Sequence, residues 1–129
     1  MIDEHYQIGE VADSVGLSLR TIRYYEEIGL VTPSGRTEGG FRLYTDSDVG
    51  RFRLIKALKP VGMSLETMVE LLEAADGVAA TSADDRSAES RLEAVLAVAL
   101  DRCDQLEQRL VGARRALQEL AGQPAQGGR

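Results

Sequence analysis

One cysteine, one histidine and no tryptophan occur among 129 residues. A single cysteine rules out an internal disulfide and fits a reducing compartment. One histidine beside one cysteine leaves too little material for a His/Cys metal site or a nucleophile–base pair. No catalytic residue, metal ligand or cofactor is therefore expected, and the enzymatic reading has no support. Aromatic residues make up only 5%, which argues against a wide aromatic-walled ligand pocket. No apolar run approaches the roughly 18 residues that span a bilayer. The first six residues, Met1 to Tyr6, are acidic where a signal peptide is basic and then apolar. The expectation is a cytoplasmic chain with no membrane partner.

Positive charge is also in short supply, with 15 Lys and Arg against 21 Asp and Glu and a net charge of −6. That balance disfavours a generic nucleic-acid binder, but its distribution is uneven. Between Ser18 and Lys59, 8 basic residues face 5 acidic ones, a local +3, and every basic residue of the first 75 lies in that window.

The apolar pattern divides the chain. Residues 1–74 alternate short periodic stretches with turn signals. Residues 75–91 are small and polar and read as a connector and the start of a long helix, residues 92–121 are one long helical pattern, and the Gly/Pro/Gln-rich tail 122–129 reads as disordered. In the long helix, Leu92, Leu96, Ala99, Cys103, Leu106, Leu110, Ala113, Leu117 and Leu120 alternate at spacings of four and three, the seam of a coiled coil. A helix of ~29 residues rises about 43 Å, more than a small domain covers, so self-association is expected. The alternative is a long helix folded back on its own N-terminal domain. Parallel and antiparallel pairings are not separated by the pattern. Cys103 reads as a small seam hydrophobe, with a redox role as the lesser alternative.

The first part reads as a helix-turn-helix. Ile8, Val11, Ala12 and Val15 form an apolar stripe that Gly16 stops, and Ser18 caps a second helix running to about Glu27 and ended by Gly29. With Ile22, Ile28 and Leu30 facing inward, Arg20, Thr21, Arg23 and Tyr24 crowd the outer face. Arginine pairs with guanine edges or phosphate and tyrosine donates to phosphate, so this face suits DNA; an ordinary solvated face is the competing reading. Arg36 to Tyr44 then carry a Gly-Gly turn before an alternating strand. Its period of two places Phe41 and Leu43 on one face, with Arg42 and Tyr44 outward on the other. Thr45 or Asp46 opens a third helix with the stripe Val49, Phe52, Ile55 and Leu58. Pro60 either ends it early or shifts Lys59. After Gly62, Ser64 opens a short fourth helix with Leu65, Met68, Leu71 and Leu72; Met63 and Met68 read as core filling. His5 belongs to no constellation.

These residues are similar to one known family. Ile8-Gly9-Glu10-Val11-Ala12, Arg20-Thr21-Ile22-Arg23-Tyr24-Tyr25-Glu26, Gly29-Leu30, Arg36 with Gly40-Phe41-Arg42-Leu43-Tyr44, and Gly62-Met63-Ser64-Leu65 resemble the MerR family of bacterial transcription regulators. The resemblance implies a mainly α fold: a winged helix-turn-helix DNA-binding domain followed by a long coiled-coil dimerisation helix. It implies a homodimer on a palindromic promoter operator in double-stranded DNA, which it bends and untwists to realign promoter elements for RNA polymerase. By motif match, Arg20, Thr21, Arg23 and Tyr24 enter the major groove, while Tyr25, Arg36, Arg42, Tyr44 and Lys59 grip phosphates. The thiol-metal branch of the family carries cysteines at the start and beyond the end of the dimerisation helix. Residues 86–89 and 122–129 hold neither Cys nor His, and the four cysteines of the iron–sulfur branch are also missing. About nine residues follow Leu120, so no large drug-binding domain is expected; a small-molecule effector is left only a pocket between the DNA-binding part and the partner's long helix. The alternative function is a coiled-coil interaction or nucleoid-architecture protein without sequence choice.

Overall fold

Helix α1 (Ile8–Val15) buries Val11, Ala12 and Val15 and begins with a reciprocal cap between Gln7 and Glu10. It stops at Gly16, whose φ of 78° is the left-handed conformation that glycine adopts without strain. A computed structural model describes this and the rest of the chain over residues 5–80 and 86–122. Helix α2 (Leu19–Glu27) follows after a turn of three residues, Gly16, Leu17 and Ser18. Its N-cap is Ser18, whose Oγ accepts the Thr21 amide at 3.0 Å. Ile22 and Tyr25 point into the core, and Leu30 and Val31 beyond the helix are buried with them.

Strands β1 (Gly35–Arg36) and β2 (Arg42–Leu43) pair antiparallel, with Gly35 opposite Leu43 and Arg36 opposite Arg42. A further bridge joins Tyr44 to Tyr6, each amide donating to the other's carbonyl at 2.7 and 2.8 Å. Thr45 and Asp48 cap helix α3 (Asp46–Leu58) reciprocally, and the buried Asp48 carboxylate also takes a 2.6 Å hydrogen bond from Ser34. Val49, Phe52 and Ile55 are buried as expected. The helix ends at Leu58, because Pro60 sits in the 3₁₀ turn Lys59–Val61 that closes at Gly62.

Helix α4 (Leu65–Ala80) opens where Ser64 accepts the Thr67 amide at 3.1 Å. It is longer than expected, reaching Ala80. Helix α5 (Arg86–Gly122) starts within residues 75–91, the stretch that reads as a connector and the start of the long helix. The polar composition of residues 75–91 suggested a connector, yet its alanines favour helix, and both flanking helices extend into it. Residues 81–85 and the greater part of the tail, 123–129, lie outside the described residues. Among the described residues no helix is long and apolar enough to cross a membrane.

One core joins α1 to α4 with the near half of α5. Ile22, Phe52 and Ile55 are fully buried at its centre, and Val95 and Ala99 of α5 pack onto it. Each large apolar side chain removed from water contributes about 1.5–3 kcal/mol. Helix α4 lies along α5, with Arg91 and Glu73 3.8 Å apart across the join.

The expected seam therefore splits in two. Ala99 is buried, and Leu92, Cys103 and Leu106 are half-buried, so the fold-back reading describes the near half. Leu96 is more open. Leu110, Ala113, Leu117 and Leu120 are exposed, the three leucines by 65–67%.

Candidate nucleic-acid interface

Capping fixes where α2 starts, and burial of Ile22 and Tyr25 fixes which side faces inward. Those two constraints leave Arg20, Arg23 and Tyr24 on the outer side. With Glu27 they line a shallow concavity of about 470 Å³. Tyr24 is 44% exposed, and its ring leans at 52° against Tyr25 with centroids 5.7 Å apart. Thr21 is half-buried, its hydroxyl 2.8 Å from Ser18 Oγ. The four residues assigned to the reading face thus lie together on one short helix, three open and one tied to its cap.

Tyr25 does not belong with them. It is 3% exposed and forms part of the core. An aromatic ring one residue along a helix from an outward one turns by about 100°, and here that turn takes it inside. Lys59 lies over its ring, with Nζ 5.6 Å from the centroid, a cation–π contact that anchors the lysine at the 3₁₀ turn.

The hairpin has the expected period and the opposite orientation. Arg42 and Tyr44 share a face, but that face looks at the protein. Tyr44 is fully buried, edge-on to Phe52, because its bridge to Tyr6 draws the strand over α3. Phe41, expected inside, is 66% exposed, because it lies in the turn before the strand begins. Ile28 is likewise 39% exposed, since α2 has ended by that point.

What draws the face inward is Glu26, a residue whose part the sequence reading left unassigned. Arg42 Nε donates to its Oε1 at 2.7 Å and stands 2.6 Å from Oε2 as an ion pair, and the Tyr44 hydroxyl donates to Oε2 at 2.9 Å. Arg36 stands 3.9 Å away, and its other amino group donates to the Gly40 carbonyl at 3.3 Å. The hydrogen bond to Glu26 raises the Arg42 guanidinium above its ordinary value despite some loss of hydration. Burial, reinforced by the bond to Glu26, pushes the Tyr44 phenol well above its ordinary value. The signal that could have singled out Glu26 is a carboxylate on a helix inside the basic window, two residues past Tyr24. Such a charge needs a partner, and the partners came from the hairpin.

The remaining cations of the window serve the scaffold. Lys56 donates to the Val15 carbonyl at 2.7 Å, Arg53 to Ser14 at 2.9 Å, and Arg51 pairs with Asp76. Among the described residues no group of three or more His, Cys, Asp or Glu is placed to hold a metal ion.

Comparison with known proteins agrees with this arrangement. Residues 6–75 match the model of the MerR HTH family regulatory protein. The heavy metal-dependent transcription regulator 2 of Rhizobium meliloti (strain 1021) is 36% identical over 118 residues, covering 89% of this chain and 74% of that protein. The HTH-type transcriptional regulator ZntR of Escherichia coli (strain K12) is 48% identical over 67 residues, or 52% of this chain and 48% of ZntR. Among solved structures, HiNmlR, a MerR family regulator lacking the sensor domain and bound to promoter DNA, superposes with a TM-score of 0.68 at 27% identity. That match covers 89% of this chain and 80% of HiNmlR. An exposed arginine–tyrosine helix braced by a small hairpin, on a fold shared with a promoter-bound regulator, makes this chain a member of the MerR family of DNA-binding transcription regulators.

Proposed function

We propose that this chain works as a cytoplasmic homodimer on a palindromic promoter operator and bends and untwists it to control RNA polymerase, without catalysis of its own. The observation that carries the reading is the open Arg20–Arg23–Tyr24 face on α2. Arg20 and Arg23, with Thr21 and Tyr24, face the major groove in this reading, while Arg36, Lys59 and the rim of Arg42 approach phosphates. Tyr25 and Tyr44 support these groups from inside and make no phosphate contact. Two chains present the +3 window twice, while acidic residues occupy other faces, which offsets the net charge of −6.

The bare leucines of α5 support pairing, since a helix with that stripe in water gains from a second copy. Bending the duplex supplies specificity at positions no side chain touches. The Rhizobium relative is named for heavy-metal dependence. This chain offers one cysteine and one histidine, and we assign it no thiol metal site.

Footprinting on a duplex selected by the parent protein from a randomised pool tests the reading. A two-fold-symmetric footprint is expected from the parent and none from Arg23→Ala, whose circular dichroism should be unchanged. Equal affinity of the parent for selected and scrambled duplexes across a salt titration would instead favour an architectural protein without sequence choice.

A further inference from the structure

Glu26 places a negative charge between the two elements that meet DNA, an unfavourable position beside phosphates unless something holds it there. Its side chain is 14% exposed, and its carboxylate engages Arg42 through both oxygens and Tyr44 through one, with Arg36 at the edge. These partners come from the hairpin, and Glu26 comes from α2. Together they form the polar tie between the reading helix and the wing. The hairpin has two residues per strand and its tip exposes Phe41, so beyond the buried Tyr44 and its bridge to Tyr6 it has little to fix its angle.

Resting on the DNA-binding reading above, we propose that Glu26 is a positioning and specificity-determining residue: it fixes the wing against α2 and withholds the charge of Arg42 from indiscriminate phosphate binding. The ion pair occupies the guanidinium Nε at short range, which restricts Arg42 to one direction of approach. A duplex that fits the fixed wing is met by Arg36 and the rim of Arg42, and one that does not fit finds less free cation on the wing to grasp. Selectivity thus comes from withheld attraction as well as from direct contact.

The test compares the parent with Glu26→Gln, which keeps shape and an acceptor for Tyr44 but loses the charge. Affinities for the selected duplex and for a scrambled duplex of equal composition are measured between about 50 and 200 mM salt. The expected result is tighter binding of scrambled DNA, a salt slope on it steeper by about 1 per chain, and a selected-to-scrambled ratio reduced about tenfold. The double variant Glu26→Gln/Arg42→Gln should return the slope to that of the parent. If both affinities fall together with unchanged slopes, Glu26 is only a fold-stabilising group and the proposal is overturned. Should Glu26→Gln not fold, Arg42→Gln carries the test alone. It leaves the carboxylate to Tyr44 and the more distant Arg36 and removes the tie to the strand, so selected-duplex affinity should drop more than scrambled affinity, and an equal drop overturns the proposal. Absence of any selected duplex for the parent would sink the DNA-binding reading itself, a different outcome from either.

Discussion

Tyr44 sits edge-on to Phe52 with its hydroxyl on Glu26 and no surface exposed. Removing that hydroxyl by Tyr44→Phe deletes a hydrogen bond to a charged acceptor and should cost about 1–2 kcal/mol in chemical denaturation. Tyr24→Phe, on the open face, should change stability by less than about 0.5 kcal/mol. The raised phenol adds a pH signature. Below the ordinary tyrosine value of 10.0 both folded and unfolded chains keep the proton. Above it the unfolded chain releases the proton and the folded chain holds it, so stability falls as pH rises. Denaturation midpoints of the parent should decline more steeply above pH 10 than those of Tyr44→Phe; equal slopes would place the ring in water. The sequence showed that Arg42 and Tyr44 share a face, because alternation is a property of any strand. It did not show which way the face looks, because that depends on Glu26 sixteen residues earlier and on a bridge to Tyr6.

Helix boundaries were the most readable feature at the level of elements. Ser18, Thr45 and Ser64 each stand where a chain must supply an acceptor for free amides, and each does so. Gly16 and Gly62 each stand where the backbone turns left-handed. At Gly16 a side chain would also start 2.5 Å from Lys56 Nζ, which caps the end of α1. Ser18→Ala should therefore lower stability by about 1 kcal/mol in urea titration and fray the start of α2. Operator affinity should fall with it, since Arg20 lies in the first turn. An unchanged urea midpoint would show that the cap contributes nothing. The extents of α4 and α5 were less readable, because small polar residues are compatible with both coil and the end of a helix held by tertiary packing.

For the whole molecule, the heptad pattern of α5 was visible from spacing alone, yet spacing does not reveal what covers each part of it. Helix α4 covers the near half, and Leu110, Leu117 and Leu120 at the far half are bare. Leu110→Glu with Leu117→Glu should give single chains by light scattering at micromolar concentration, against pairs for the parent. The α1–α4 portion should keep its circular dichroism. Operator affinity should fall by about a hundredfold or more, as the second half-site loses its tether. Pairs surviving both substitutions would move the interface elsewhere.

The division of α5 into a sheltered stretch and an uncovered one also has a consequence for dosage. Where most copies are solitary, the number of assembled regulators grows as the square of the number of polypeptides. Twofold more synthesis then yields about fourfold more occupied promoters at low occupancy, by mass action. In the homodimer proposed above, a gradual change in expression becomes a sharper transcriptional response, set by the exposed leucines of α5.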